Sequence, residues 1–178
     1  MKIFYWAPWI GNVGTIKAVK NSSFILNHYS GGKITTKIID SVGEWQNQKL
    51  NNIVNLSNKK IYKYLPKGGY IKSRFTYITI FIFSFLPLLR LIMREKPDYL
   101  IVQLITSLPI ILNLMFKLNT KLILRISGFP KMNFLRKFLW KIASKKIHMI
   151  TFPSYDLYIQ FKKLGIFEET KMQVLLKF

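Results

Sequence analysis

The feature that most constrains the fold is a repeated unit, in which a short apolar run is followed by a turn and then by a longer amphipathic run. Apolar runs of about four to eight residues, rich in β-branched side chains, predict buried strands, and longer runs with helical spacing predict helices. Strands that alternate with helices pair in parallel, because each helix carries the chain back along the sheet. The sequence therefore predicts an α/β fold with a Rossmann-like, doubly wound, mostly parallel sheet.

The predicted elements follow one another along the whole chain. The predicted strands are 2–7, 33–39, 51–56, 60–65, 98–104, 121–127, 147–152 and 172–176, of which 51–56 and 60–65 have weak patterns. The predicted helices are 15–29, 75–93, 107–118, 133–145 and 154–164. In the first helix we expect Thr15 to act as the cap, and one face to be formed by Ala18, Ser22, Ile25, Leu26 and Tyr29.

The segment 75–93 is almost wholly apolar and is interrupted only by Pro87 and Arg90. Its length is sufficient to cross a bilayer. It is equally typical of a buried helix that packs on a sheet. Cations lie on both sides of the segment, so their distribution does not indicate an orientation in a membrane. We favour the buried helix and keep a membrane span as the alternative.

The first predicted ligand loop follows the first strand and reads P-W-I-G-N-V-G-T. Ligands of doubly wound sheets bind beyond the carboxyl ends of the strands, and a helix N-terminus offers free N–H groups to an anion. The G-x-x-G spacing is neither the dinucleotide fingerprint nor a Walker loop, so a plain tight turn is the alternative. The candidate substrate- and donor-binding residues here are Gly11, Asn12, Gly14 and Thr15.

Polar side chains also follow three later strands at the same edge. A cation and hydroxyl groups in this position suit a phosphate or a sugar. The alternatives are a structural arginine, an ordinary turn and helix capping. The candidate substrate-binding residues are Gln103, Thr106, Ser107, Arg125, Ser127, Gly128 and Ser154.

Composition excludes several classes of protein. The chain has no cysteine and only two histidines, so it has no disulfide, no cysteine-ligated metal and little scope for a histidine site. The seven acidic residues form no paired constellation, and neither a Ser-His-Asp order nor a nucleophile elbow is present. We therefore expect no catalytic residue, no metal and no cofactor in this chain.

The chain is strongly basic, with 28 Lys and Arg against 7 Asp and Glu and a net charge of +21. This charge favours anionic partners. Cations next to aromatic rings are typical of a peripheral membrane surface, and the same residues could bind single-stranded nucleic acid or form a solvated face. Arginine is scarce, which argues against base readout. The candidate membrane-docking residues are Lys131, Arg136, Lys137, Trp140 and Lys141.

Four segments in succession resemble one known family. They are MKIFYWAPWIGNVGT, KPDYLIVQLITSLP, KLILRISGFPK and IHMITFPSYDLYIQFKKLGI. Their order is similar to that of the N-terminal half of a family 4 glycosyltransferase, and the resemblance covers essentially all 178 residues. Relatives often place histidines that contact sugars where this chain has Gln103 and Ser127, so the sequence departs from the family there.

The resemblance implies one half of a GT-B two-domain architecture. Residues 1–178 would form a single Rossmann-like N-terminal domain that binds the acceptor, and the C-terminal nucleotide-sugar domain would be absent. The family transfers a hexosyl group from a nucleotide-sugar to a lipid-linked or surface-polysaccharide acceptor, in capsule or lipopolysaccharide synthesis. Such a half would be inactive alone or would need a donor-binding partner subunit.

The resemblance also implies a place in the cell, peripheral on the inner face of the cytoplasmic membrane. Two other functions stay open at this point. One is a non-catalytic membrane-docking or scaffold subunit of a glycan-assembly complex, and the other, less favoured, is a nucleic-acid binder.

Overall fold

The structure, a computed structural model, describes residues 1–8, 14–56, 61–66 and 70–175. Within these ranges seven strands form one sheet, and five α-helices connect them. The strands are β1 (Lys2–Trp6), β2 (Thr35–Asp40), β3 (Ile53–Asn55), β4 (Tyr99–Val102), β5 (Lys121–Arg125), β6 (Ile147–Phe152) and β7 (Met172–Val174). The helices are α1 (Thr15–Tyr29), α2 (Tyr70–Glu95), α3 (Ser107–Phe116), α4 (Phe134–Ala143) and α5 (Tyr155–Lys163).

The strand order is β3-β2-β1-β4-β5-β6-β7, and every neighbouring pair is parallel. The chain starts in the middle of the sheet, moves to one edge through β3, and returns through α2 to build the other side. This reversal places β1 beside β4, which makes their carboxyl ends the topological switch point. The predicted Rossmann-like, doubly wound parallel sheet is confirmed.

The two faces of the sheet carry different cores. Alternate side chains of β1 point to opposite sides, so that Phe4 and Trp6 join one cluster while Ile3 and Tyr5 join the other. The larger cluster contains residues of α2, α3, α4 and α5. The smaller cluster contains residues of α1. Right-handed connections produce this division, because β1 and β2 progress in one direction and β4 to β7 progress in the other.

Two local predictions are wrong. The predicted strand 60–65 is a 3-10 helix, Ile61–Tyr64. In α1 the buried residues are Ile16, Val19 and Ser23, and the helix is rotated away from the predicted face. The reason is a polar contact, because Ser23 Oγ donates to Thr36 Oγ1 of β2 at 2.9 Å and fixes that side of the helix on the sheet.

Helix α2 is longer than predicted and continues through Pro87. Ile80, Leu88 and Ile92 on its inner side are buried in the larger core, as expected for a helix that packs on a sheet. Within the described residues α2 also contains the one stretch, Arg74–Glu95, whose length and apolar composition would suffice to cross a membrane. Its outer side is exposed.

Candidate functional site

A cavity of about 380 Å³ lies at the switch point, between the start of α1 and the carboxyl ends of β4, β5 and β6. Three strand ends and one helix N-terminus therefore meet at one place. The residues that line the cavity are Gly14, Thr15, Ala18, Gln103, Leu104, Arg125, Ile126, Ser127, Thr151, Phe152, Pro153 and Leu175. None of these lining residues is acidic.

The start of α1 gives the cavity a positive end. Gly14 is the N-cap residue and no side-chain hydrogen bond caps the helix, so Thr15 does not have the capping role that its sequence position predicts. The first N–H groups of a helix have no partner within the helix, and they carry the positive end of its dipole. An anion in the cavity would be stabilised by these groups.

Gln103 supplies a buried amide nitrogen that has no partner among the described residues. Its backbone N–H donates to the carbonyl oxygen of Trp6 at 2.8 Å, which continues the pairing of β1 with β4. Its side chain is only 3% exposed, and its Nε2 has no hydrogen-bond partner among the described residues. A buried amide nitrogen without a hydrogen-bond partner is costly, and an oxygen of a ligand in the cavity would remove this cost by accepting its hydrogen bond.

The backbone that follows Gln103 is held in an unusual conformation. Leu104 has a φ of 61°, in the left-handed region that a leucine rarely adopts. The indole Nε1 of Trp6 donates to the carbonyl oxygen of Ile105 at 2.8 Å and fixes the loop. Strained backbone of this kind is maintained by its surroundings and is concentrated at ligand sites. Here it fixes the turn that presents Gln103 to the cavity.

Arg125 supplies a positive charge that nothing in the described chain neutralises. It is half-buried at the end of β5, and its guanidinium makes no hydrogen bond or ion pair with any described residue. It lies close enough to Tyr5 to affect that phenol. Burial raises the pKa of Tyr5, and the hydrogen bond to Ser22 and the charge of Arg125 partly oppose this shift. The cavity thus combines a cation, a helix N-terminus and an amide donor.

An open trough of about 600 Å³ continues from the cavity along α1. It lies over the α1 side of β4 to β7, and it shares with the cavity Gly14, Ala18, Arg125, Thr151 and Leu175. Lys17 adds a second cation, and the trough residues include no Asp or Glu. Anionic groups are therefore favoured along its length as well as in the cavity.

The structure brings together five of the predicted binding residues. Gly14, Thr15, Gln103, Arg125 and Ser127 all line the cavity, and Ser127 is exposed at its mouth. Gly11 and Asn12 lie outside the described residues. The meeting of these residues follows from the parallel strands, which bring all carboxyl ends to one edge.

The other four predicted residues do not line the cavity. Thr106 is the N-cap residue of α3 and Ser107 is its first residue. Ser154 caps α5, since its Oγ accepts a hydrogen bond from the N–H of Leu157 at 3.4 Å. Gly128 is an exposed turn residue. Of these four residues, Ser154 makes a side-chain capping bond, and Thr106 makes none.

Sequence reasoning missed two residues of this site. Thr151 is buried in β6 and lines both the cavity and the trough, and Lys17 lines the trough from α1. A polar residue near the end of an apolar strand was the signal that selected Gln103, and the same signal was available for Thr151. Nothing in the sequence marked Lys17 among so many lysines.

A second buried polar group lies at the end of β2. Asp40 and Glu44 are both buried, and neither lines the cleft. Glu44 accepts hydrogen bonds from the N–H and Oγ of Ser41 and from the N–H of Val42. Burial, reinforced by the neighbouring Asp40, raises the pKa of Glu44 to about 8. Glu44 is therefore mainly protonated at neutral pH.

The candidate membrane residues separate into two groups. Trp140 is only 2% exposed and packs against Phe161 and Phe167, with ring centroids 5.8 and 5.7 Å away. Its prediction as a membrane-docking residue is wrong, because the apolar face of α4 that contains it points into the core. Lys131, Lys137 and Lys141 are exposed, and Arg136 is half-buried and donates to the carbonyl oxygen of Lys131 at 2.8 Å.

A larger depression of about 760 Å³ lies at the amino ends of the strands, around Pro97 and Lys121. Its acidic residue, Asp98, already accepts a hydrogen bond from the N–H of Lys2 at 2.7 Å. Ligands of open α/β sheets bind at the opposite edge, so we assign the functional site to the smaller cavity. Among the described residues no group of three or more His, Asp or Glu could hold a metal ion.

No protein-family model matches the sequence, and comparison with curated proteins gives no match. Solved structures do match. The lipopolysaccharide outer core galactosyltransferase WaaB, in its apo form, has a TM-score of 0.63 at 14% identity, over 99% of this chain and 46% of its own. UDP-GlcNAc 2-epimerase from Neisseria meningitidis, bound to UDP-GlcNAc, has a TM-score of 0.59 at 16% identity, over 97% of this chain and 45% of its own. MurG from Acinetobacter baumannii has a TM-score of 0.54 at 8% identity, over 97% of this chain and 45% of its own.

These similarities are at low sequence identity, and they show the fold alone. The matched proteins are glycosyltransferases and related enzymes with the GT-B fold. This chain spans less than half of their length. It therefore has the Rossmann-like α/β fold of one half of a GT-B protein, as the sequence predicted.

Proposed function

We propose that this chain is the acceptor-binding half of a family 4 glycosyltransferase that transfers a hexosyl group from a nucleotide-sugar. The observation that supports the proposal best is the cleft at the switch point. It places the unneutralised Arg125, the unpaired amide of Gln103 and the start of α1 around one cavity. The fold is shared with the galactosyltransferase WaaB and with a UDP-GlcNAc 2-epimerase that binds UDP-GlcNAc, which supports a nucleotide-sugar enzyme.

The groups of the cleft suit different parts of a phosphorylated sugar. Arg125 and the first N–H groups of α1 would hold a phosphate, because both favour negative charge. Gln103 and the hydroxyl groups of Ser127 and Thr151 would bind sugar hydroxyls. We assign the acceptor to this cleft, and we assign the groups that hold the donor diphosphate to a C-terminal domain or a partner subunit.

The first experiment measures binding of N-acetylglucosamine 1-phosphate, with N-acetylglucosamine and inorganic phosphate as reference ligands, by isothermal titration calorimetry. Arg125→Gln should weaken binding of the sugar phosphate by about tenfold or more, since a hydrogen bond to a charged group contributes about 1.5 to 3 kcal/mol. Arg94→Gln is the matched control, because Arg94 is exposed on α2 and lies outside the cleft. Equal affinity for the two variants would contradict the assignment of the site.

The second experiment tests the reaction. The chain is combined with a donor-binding domain, and hexosyl transfer from a radiolabelled nucleotide-sugar to membrane acceptors is measured. Transfer should require both components. A chain that binds the sugar phosphate but never supports transfer would favour the non-catalytic subunit.

The non-catalytic membrane-docking or scaffold subunit is the second candidate. It is favoured by the exposed apolar residues of α2 and α4, which the cleft does not explain. We place either form of the protein in the cytoplasm, peripheral on the inner face of the membrane, where nucleotide-sugars and acidic lipids are both available. Salt-sensitive binding to a single-stranded oligonucleotide, without sugar-phosphate binding, would instead favour a nucleic-acid binder.

A further inference from the structure

Exposed apolar side chains are concentrated on three neighbouring helices. Of the twenty-one large apolar residues exposed in the described chain, seven lie on α2, two on α3 and four on α4. Helix α3 packs against both α2 and α4, so these helices lie side by side on one face of the sheet. An apolar surface that extends over several elements is unusual for a soluble monomer and marks an interaction site.

The outer side of α2 carries an apolar stripe, which the exposed Arg90 interrupts between Leu86 and Met93. It contains Phe75, Ile78, Ile82, Leu86 and Met93, which are all exposed. Their spacing of three, four and seven residues places them along one side of the helix. With a rise of 1.5 Å per residue, the stripe is about 27 Å long. The opposite side of α2 belongs to the protein core, so a folded chain presents this helix lengthwise and does not insert it across a bilayer.

Helix α4 has the same organisation on a smaller scale. Phe134, Phe138 and Ile142 follow one another at intervals of four residues and are exposed. Lys137 and Lys141 lie next to these positions and are exposed too. The buried Trp140 occupies the opposite side and anchors the helix. The exposed half of α4 is therefore apolar in its centre and basic at its border.

The charge of this surface is one-sided. Helices α3 and α4 contain no Asp or Glu, and the one acidic residue of α2 is Glu95. Glu95 is engaged by Lys37 at 3.0 Å and by Arg94 at 3.4 Å, and the hydrogen bond from Lys37 lowers its pKa. A partner that buried the apolar stripes would meet cations at their borders, so it must combine an apolar interior with negative charge at its surface.

We propose that the exposed face of α2, α3 and α4 docks on the surface of an anionic bilayer, with the helices parallel to the membrane plane. Apolar side chains at the centre of an interfacial helix enter the acyl boundary, and lysines at its border meet lipid phosphates. Aliphatic residues such as Ile78, Ile82 and Leu86 have no function in nucleic-acid binding, which uses aromatic stacking. This docking face is distinct from the cleft. It rests on the membrane location proposed above and not on the assignment of the cleft, so vesicle binding and sugar-phosphate binding can fail independently.

The first test is co-sedimentation of the full chain with vesicles of phosphatidylcholine, with and without about 30% phosphatidylglycerol. We expect binding to the anionic vesicles only. Phe138→Ser with Ile142→Ser should lower the partition coefficient about tenfold or more, because two buried apolar side chains are lost. The control is Phe24→Ser with Tyr29→Ser, two residues that are also exposed but lie on α1, across the sheet. Equal losses in the two pairs would overturn the proposal.

The border cations are tested in the same assay. Lys137→Gln with Lys141→Gln should weaken binding by about fivefold per lysine, since each lysine near an anionic surface contributes about 1 kcal/mol. Lys33→Gln with Lys163→Gln changes the net charge by the same amount at exposed positions outside the docking face. If both pairs weaken binding equally, net charge alone would explain the attraction and the docking face would be refuted.

The orientation of α2 has its own test, which the absence of cysteine makes simple. A fluorophore is attached to Ile82→Cys on α2 or, as the control, to Ile25→Cys on α1, and quenching by lipids with a nitroxide near the headgroup or near the chain end is compared. Headgroup-side quenching at residue 82 and none at residue 25 is the expected result. Strongest quenching by the chain-end nitroxide would indicate insertion across the bilayer and overturn the in-plane arrangement. Protection of residue 82 by a protein instead of by lipid, in cell extracts without membranes, would overturn the choice of partner.

Discussion

Replacement of Glu44 by glutamine should lower the stability of the chain at pH 5 and raise it at pH 8. Glu44 has a pKa of about 8 in the folded chain, mainly because it is buried and also because Asp40 is next to it. In the unfolded chain the pKa returns to its ordinary value of 4.5. Between these two values the unfolded state loses the proton while the folded state keeps it. The free energy of unfolding therefore falls as the pH rises through this interval.

The magnitude follows from the two pKa values. Each pH unit within the interval removes about 1.4 kcal/mol, so the wild-type chain loses about 3 to 4 kcal/mol through this residue between pH 5 and pH 8. Glutamine does not ionise and removes this loss. It also leaves the N–H of Val42 without the acceptor that Glu44 Oε2 provides at 2.8 Å, which costs about 1 to 2 kcal/mol. Glu44→Gln should be less stable than wild type at pH 5 and more stable by about 2 kcal/mol at pH 8.

Urea unfolding followed by circular dichroism at pH 5, 6, 7 and 8 measures this difference. Glu169→Gln is the control, since Glu169 is an exposed carboxylate that pairs with Lys162 at 2.9 Å. Its effect should be small over the same range, because an exposed ion pair contributes little to stability. A difference between wild type and Glu44→Gln that stays the same from pH 5 to pH 8 would refute the buried, protonated state of Glu44.

Three further predictions concern stability. Trp140→Ala should lower the free energy of unfolding by about 3 to 5 kcal/mol, because Trp140 is buried. Phe138→Ala, two positions away on the exposed side of the helix, should change it by about 0.5 kcal/mol or less. Equal losses of stability in urea titrations of the two variants would contradict the burial of Trp140. Asn133 Oδ1 caps α4 by accepting a hydrogen bond from the N–H of Arg136 at 2.9 Å. Asn133→Ala removes this cap and should lower the free energy of unfolding by about 1 kcal/mol, whereas Asn133→Asp keeps the cap and should have a melting temperature close to that of wild type. Gly165 has a φ of 59°, so Gly165→Ala should cost about 1 kcal/mol in thermal unfolding, and Gly128→Ala, in open space without positive φ, should cost almost nothing.

Much of the candidate site could be predicted from local sequence. Gln103, Arg125 and Ser127 each follow an apolar strand, and parallel strands necessarily bring their carboxyl ends to one edge. Thr106, Ser107 and Ser154 satisfied the same rule, and yet they lie at the starts of α3 and α5 and do not line the cavity. A polar residue after a strand can face the ligand or cap the next helix, and local sequence does not distinguish these two uses.

The sequence by itself determined the alternation of elements and therefore the parallel sheet. Apolar periodicity acts over a few residues, and it is the burial of that apolar surface which makes each strand and helix form. It also determined the absence of disulfides and the basic charge, which need no folding to be true.

The tertiary structure decided which side of each helix is covered. Trp140 turns inward and Phe138 outward, although both are aromatic residues of the same basic helix. Ser23 of α1 faces the sheet because Thr36 of β2 offers it a hydrogen-bond partner. The amide nitrogen of Gln103 is buried without a protein partner, and the pKa of Glu44 is raised, because elements from distant parts of the chain surround these side chains. Such outcomes depend on contacts between residues far apart in the chain, and a pattern of neighbouring residues does not contain them.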